Sequence, residues 1–250
     1  MNVVVNGLMT NYQKVGKGKA VVFLPGWGDN VTTFSNLVER LKENYEIYCL
    51  DLPGFGGTQA PPAAWNLHDY SDFVKAWLKK LGLEPFAMVG HSYGGAVAII
   101  VASGKTDIDK LILIASAGIR DKNRLRKSLM SGVAKIGKVT LYALPSSRSR
   151  KIKERIYKSI GSDLMLLPHM EQTYRRIINE DVRQIAAKII IPTLLIYGSH
   201  DKLTPESDGR ILRNSISGSK LDIINAGHFL HQEQSEYIAD LIRQFLEGDR

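Results

Sequence analysis

Apolar residues fall along this chain in two alternating patterns, short unbroken runs and longer stripes at three-four spacing, and the alternation defines most of its elements. Residues 3–6 and 8–14 read as two strands joined at Asn6-Gly7, a dipeptide suited to the positive φ angles of a tight hairpin. After the turn at Gly16-Lys17-Gly18, residues 20–24 are apolar at every position, which predicts a strand covered by helices on both faces. That run stops at Pro25-Gly26-Trp27-Gly28. A helix is expected over residues 33–42, with Phe34, Leu37, Val38 and Leu41 on one face, and a strand over 46–50. Leu67, Tyr70, Phe73, Val74, Trp77, Leu78 and Leu81 form one buried stripe, and Gly82 closes that helix. Short apolar runs at 86–89, 110–115, 192–197 and 221–224 predict further strands. Between the last two, Thr204 is expected to cap a helix with Pro205 in its first turn. The closing helix places Tyr237, Ile238, Leu241, Ile242, Phe245 and Leu246 on one face. Strand and helix thus alternate from residue 20 to 115, which implies an α/β protein with a mainly parallel, twisted sheet wrapped on both faces. In such sheets the chemistry gathers at the carboxyl ends of the strands.

The alternation fails between residues 119 and 188, where several helices are interrupted at Pro145, Gly161 and Pro168. Leu125, Leu129, Val133 and Ile136 give one of them an apolar stripe, with Arg126, Lys127 and Lys135 off it. A helical lid over residues 119–188, inserted between core segments 1–118 and 189–250, is the expected organisation. Charge marks the same boundary. Residues 120–188 carry 17 Lys and Arg against 6 Asp and Glu, an excess of 11, while the remainder carries 16 against 19. A basic amphipathic helix can lie on a membrane surface, but the stripe is expected to pack on the core instead.

The rest of the composition narrows the class. At 250 residues, 44% hydrophobic and 23% charged, the chain is an ordinary globular protein with room for one sizeable domain. The N-terminus lacks a basic stretch followed by an apolar one, and no apolar run reaches the length of a membrane span, so stable membrane insertion is not expected and a cytoplasmic location is. The single cysteine, Cys49, lies in an apolar run and reads as a buried, inert thiol. No internal repeat, zinc-type His/Cys cluster, phosphate-binding loop or nucleic-acid motif is present; neither cofactor nor metal is implied, and nucleic acid is not an expected partner.

One stretch organises the chemistry. Gly90-His91-Ser92-Tyr93-Gly94 lies between an apolar strand and an apolar helix, so Ser92 stands at the apex of a strand-turn-helix corner whose flanking glycines relieve the backbone crowding. Two further polar residues follow strands, Asp201 and His228. A serine hydroxyl is a poor nucleophile at neutral pH, so a base must take its proton as it attacks; His228 suits that task, and Asp201 suits the holding of the imidazole in the right tautomer. The oxyanion formed on attack needs donors. The amide of Tyr93, next to the nucleophile and at a helix start, is one, and the loop after residue 24 should supply the other through Trp27. His68, His91, His169, His200 and His231 lack a matching acid and strand-end context, and Asp51 belongs to a turn segment.

Pro25-Gly26-Trp27-Gly28, Asp51-Leu52-Pro53-Gly54-Phe55-Gly56, Gly90-His91-Ser92-Tyr93-Gly94-Gly95, Gly198-Ser199-His200-Asp201 and Ala226-Gly227-His228 resemble the successive signature segments of the α/β-hydrolase superfamily, including its small cytosolic carboxylesterases with a helical cap. The resemblance spans nearly the whole chain outside the lid. It implies the α/β-hydrolase fold, Ser92, Asp201 and His228 as a catalytic triad in the order usual for that fold, and the amides of Trp27 and Tyr93 as oxyanion hole. Pro25 departs from the pattern, which usually has His there. Dehalogenases and epoxide hydrolases of this fold use an aspartate nucleophile, so Ser92 speaks against both. The expected function is a cofactor-free carboxylesterase acting on small or medium acyl esters. Carbon–carbon bond hydrolase, thioesterase and lipid hydrolase on the same triad remain alternatives, as does a ligand-binding protein without turnover. The sequence leaves the oligomeric state open.

Overall fold

The computed structural model describes residues 1–104, 107–120 and 168–248. Its strands are β1 (Asn2–Val5), β2 (Leu8–Val15), β3 (Lys19–Leu24), β4 (Tyr45–Leu50), β5 (Ala87–His91), β6 (Lys110–Ile114), β7 (Thr193–Gly198) and β8 (Lys220–Ile224). They form one sheet in the order β1-β2-β4-β3-β5-β6-β7-β8. β1 and β2 make the expected hairpin, with Asn6 at φ 48° and Gly7 at φ 81°. β2 is antiparallel to β4 and every later pairing is parallel. The chain steps outward from β3 to β4, then returns past β3 to β5 and continues to the other edge. Loops leaving β3 and β5 therefore flank the point where strand order reverses, the place where a sheet of this kind opens a crevice at its carboxyl ends.

The unbroken apolar runs have a direct structural cause. Val22 and Leu24 of β3 enter one buried layer, with Tyr70, Trp77 and Val97, while Val21 and Phe23 enter the opposite one, with Phe34, Leu37 and Ile242. Both faces of each central strand are thus dry, so alternation of polar and apolar residues disappears. The described helices are α1 (Ser35–Leu41), α2 (Leu67–Leu81), α3 (Tyr93–Ala102), α4 (Glu171–Ile177), α5 (Arg183–Ala186), α6 (Glu206–Ser215), α7 (Leu230–Glu233) and α8 (Ser235–Glu247). Asn66 and Asp69 close a capping box on α2, and Gly82 ends it at φ 60°. Every residue of α3 is buried, as its lack of a polar face demands. Trp77 is wholly buried, and its replacement by Ala would cost about 3–5 kcal/mol.

Two details differ from the sequence reading. The helix expected over 33–42 is a 3-10 turn (Val31–Phe34) followed by α1, because the Asn30 side chain accepts the Thr32 amide and starts the turn early. Tyr237 does not share the buried face of α8; it is half exposed, while Ile238, Ala239, Ile242 and Leu246 are buried.

Most of the predicted lid, including the stripe of Leu125, Leu129, Val133 and Ile136 and the breaks at Pro145 and Gly161, lies outside the described residues. Its C-terminal part carries a 3-10 turn (Pro168–Met170), α4 and α5. That part is tied to the core. Trp65 N–H donates to Thr173 Oγ1 (3.2 Å), Leu67 N–H to Glu180 Oε1 (3.0 Å) and Val182 N–H to the Gly118 carbonyl (2.9 Å). Met170 and Val182 are buried in the same apolar layer as α2 and α3. Cys49 is fully buried, and burial pushes its thiol well above the ordinary range. Among the described residues no helix is long and apolar enough to cross a membrane.

Candidate active site

Ser92 joins β5 to α3 with φ 50° and ψ −116°. For a residue with a Cβ this backbone costs on the order of 1–3 kcal/mol. The surrounding hydrogen bonds hold it there. Its N–H donates to the Ile114 carbonyl (3.0 Å), and its carbonyl accepts from the amides of Gly95, Ala96 and Ala117 at 3.0, 3.2 and 2.9 Å. The turn is also tight enough to exclude side chains: a Cβ at Gly90 would lie 2.6 Å from the Gly94 carbonyl oxygen, and one at Gly94 would run into the Leu24 and Pro25 carbonyls. The elbow is therefore pressed against the end of β3, whose Leu24 pairs with Gly90.

Asp201 follows β7 and His228 follows β8, and the fold brings both to Ser92. His228 Nε2 lies 3.1 Å from Ser92 Oγ, and His228 Nδ1 lies 2.7 Å from Asp201 Oδ2. A carboxylate can only accept, so the bond to Asp201 requires the proton on Nδ1 and leaves the Nε2 lone pair facing the serine. The Asp201 side chain is fully buried, yet it is richly supplied with donors. Leu203 N–H (2.8 Å) and Thr204 N–H (3.0 Å) reach Oδ1; Thr204 Oγ1 (2.7 Å) and His228 reach Oδ2. Burial alone would raise this carboxyl, but the bonds from His228 and Thr204 and the charge on His228 outweigh it and hold it below the usual carboxylate range.

Thr204 is the residue that sequence reasoning misplaced. It does not cap a helix; Pro205 occupies the position before α6, and the Thr204 hydroxyl turns inward to Asp201 and to the Ala115 carbonyl (2.9 Å). Distance along the chain hides this, because Ala115 lies 89 residues away.

The loop after β3 runs beside the elbow, where a Cβ at Gly26 would lie 3.5 Å from Ser92 Cβ. Trp27 and Tyr93 line a cavity of about 230 Å³ together with Ser92 and His228. Among the described residues neither the Trp27 nor the Tyr93 amide has a protein acceptor. The indole of Trp27 packs edge-on against Phe55, Tyr93 and Tyr174, at 4.8, 5.5 and 5.1 Å between ring centres. Leu67, Ala96, Ile119 and Ile177 complete a mostly apolar wall, with Glu180 and Asp208 as carboxyls on it.

The other sequence candidates fall into two groups. His68, His169 and His200 are exposed, and Asp51 is a turn residue that accepts the Val31 and Gly57 amides and the Asn11 side chain. His91 and His231, by contrast, are buried beside His228, with ring centres 5.0 Å apart for His91 and His228 and 4.3 Å for His91 and His231. Their apolar and turn contexts give no hint of that in the sequence.

Residues 21–241 match the model of the alpha/beta hydrolase family. The chain belongs to that family. Its relatives include the AB hydrolase superfamily protein YisY of Bacillus subtilis, 30% identical over 93% of both chains. The monoacylglycerol lipase abhd6-A of Xenopus laevis is 28% identical over 96% of this chain and 78% of its own. Among solved structures, the enol-lactonase of Burkholderia xenovorans superposes with a TM-score of 0.78 at 19% identity, covering 99% of this chain and all of that one. The sheet order and helix placement of this hydrolase are those of the alpha/beta hydrolase fold.

Proposed function

We propose that this hydrolase cleaves carboxylic esters through an acyl-enzyme on Ser92. The observation that carries the reading is the continuous relay from Ser92 Oγ to His228 Nε2 and from His228 Nδ1 to Asp201, with Ser92 and His228 lining the cavity. Ser92 Oγ attacks the ester carbonyl carbon while its proton passes to His228 Nε2, and Asp201 stabilises the imidazolium. The amides of Trp27 and Tyr93 receive the oxyanion; each is worth on the order of a hundredfold in rate. Collapse breaks the bond to the alcohol oxygen, which takes the proton from His228. Water then attacks the acyl-enzyme by the same steps in reverse, so the chemistry needs no cofactor. The mostly apolar cavity suits a small or medium acyl group, and a relative named as a monoacylglycerol lipase supports an ester as substrate. From the described part of the expected cap, Tyr174, Ile177, Ile178 and Glu180 line that cavity.

A serine-reactive fluorophosphonate should label the protein once, on the tryptic peptide that contains Ser92, and Ser92→Ala should abolish both labelling and turnover while the protein stays folded. Acyl esters of graded chain length, run beside thioesters and a vinylogous diketone, then assign the scissile bond. A folded Ser92→Ala protein with ordinary activity would overturn the mechanism. Faster cleavage of the diketone than of any ester would replace the esterase reading with carbon–carbon hydrolysis.

A further inference from the structure

Resting on that reading, and deepening it, we infer that His91 is a positioning residue for His228: its Nε2–H, bonded to the His228 carbonyl at 3.0 Å, fixes where the His228 ring meets Ser92. His91 is the last residue of β5 and directly precedes the nucleophile, so it shares the rigid frame of the elbow. The bond crosses 137 residues of sequence and joins the end of β5 to the loop after β8. On its other side the ring is backed by the loop after β3, since a Cβ at Gly26 would lie 3.1 Å from His91 Nδ1. One buried side chain thus touches three of the four loops that carry the reaction: the nucleophile elbow, the loop of the Trp27 amide and the loop of His228.

Hydrogen-bond chemistry sets the state of the ring. A carbonyl only accepts, so Nε2 carries the proton, and Nδ1, buried without a partner, keeps its lone pair. A second proton would place an unpaired cation among Phe34, Phe229, His228 and His231. Burial, with the charges of His231 and His228, holds His91 well below the ordinary imidazole range. His231 is likewise pushed down, to about 4, by burial and by His228; its Nε2 lies 3.2 Å from the Thr33 hydroxyl, which donates to Asp29. At neutral pH both rings beside His228 are therefore uncharged.

A histidine that merely filled space would be replaced by an apolar side chain of similar volume without kinetic cost. His91→Met removes the donor and His91→Gln restores an N–H near the Nε2 position. The Met variant should lower kcat about tenfold to a hundredfold with KM nearly unchanged, because a displaced general base slows chemistry more than binding. The Gln variant should recover most of that loss. Unaltered kcat in the Met variant, or equal losses in both, would overturn the assignment. Should the Met variant fail to fold, the wild-type protein decides: ¹⁵N-resolved histidine spectra at pH 7 must show His91 as the neutral Nε2–H tautomer, and an Nδ1–H tautomer or an imidazolium refutes the bond. Failure of the underlying reading looks different, since a wild-type protein that neither turns over esters nor reacts with fluorophosphonate loses the mechanism while the tautomer measurement still tests His91.

Discussion

Asp201→Asn offers the sharpest test of the relay, because the structure dictates how the amide must sit. Two backbone N–H groups, of Leu203 and Thr204, point at Oδ1, so the asparagine places its carbonyl oxygen there and its NH₂ where Oδ2 now faces His228 Nδ1. That NH₂ donates to Nδ1 and forces the proton onto Nε2, against Ser92, where it blocks proton abstraction. The opposite rotamer restores the useful tautomer but turns the NH₂ against two donors and forfeits two hydrogen bonds, about 2–4 kcal/mol, or a factor of about 30 to 1,000 in competent enzyme. Neutralising the carboxylate also removes its attraction for the imidazolium, on the order of 4 kcal/mol at a separation of about 4 Å near a protein surface. Together these come to about 6–8 kcal/mol, which predicts a kcat lower by roughly 10⁴ to 10⁶ with little change in KM. Thr204 accommodates the change by donating to Ala115 and accepting from the new NH₂, so the fold should persist. Initial-rate kinetics on the best ester, beside a thermal melt of the same preparation, measure both. A folded variant within tenfold of the wild-type kcat would refute the role given to Asp201.

Other consequences are open to measurement. Trp27→Ala keeps the amide and opens the aromatic wall formed with Phe55 and Tyr174, so it should shift acyl-chain preference, whereas Trp27→Pro deletes the amide N–H and should lower kcat a hundredfold or more, about the worth of one oxyanion donor. Equal losses in two folded variants would assign the effect to the side chain. Acid stability should carry the mark of His231. Its folded pKa of about 4 lies below the unfolded value near 6.5, so the unfolded chain binds protons first and stability falls as pH drops from about 6.5 to about 4, by on the order of 3 kcal/mol. His231→Asn should flatten the melting temperature against pH across that window, and an unchanged slope would count against the buried neutral ring. The depressed carboxyl of Asp201 adds stability above the ordinary carboxylate range that is lost as pH falls through its lowered folded value, so Asp201→Asn should soften the decline at still lower pH in the same melts.

Local chemistry determined much of this protein on its own. An Asn-Gly pair suffices for the hairpin, and the stripe of Leu67, Tyr70, Phe73 and Trp77 suffices for α2, because turn geometry and helical period depend on neighbours a few residues away. Doubly covered strands likewise announce themselves, since a residue with dry surroundings on both faces has no polar alternative. The glycines around Ser92 mark a corner for the same local reason, and from that corner the positions of Asp201 and His228 after strands could be read. What only the tertiary structure decided lies in the contacts between strand ends. Thr204 reads as a helix cap until Ala115 and Asp201 are seen to claim its hydroxyl, and His91 reads as an incidental neighbour of the nucleophile until the His228 carbonyl arrives from 137 residues away. No periodicity encodes such bonds, because they depend on which strands lie side by side and on the register that brings Leu24 level with Gly90.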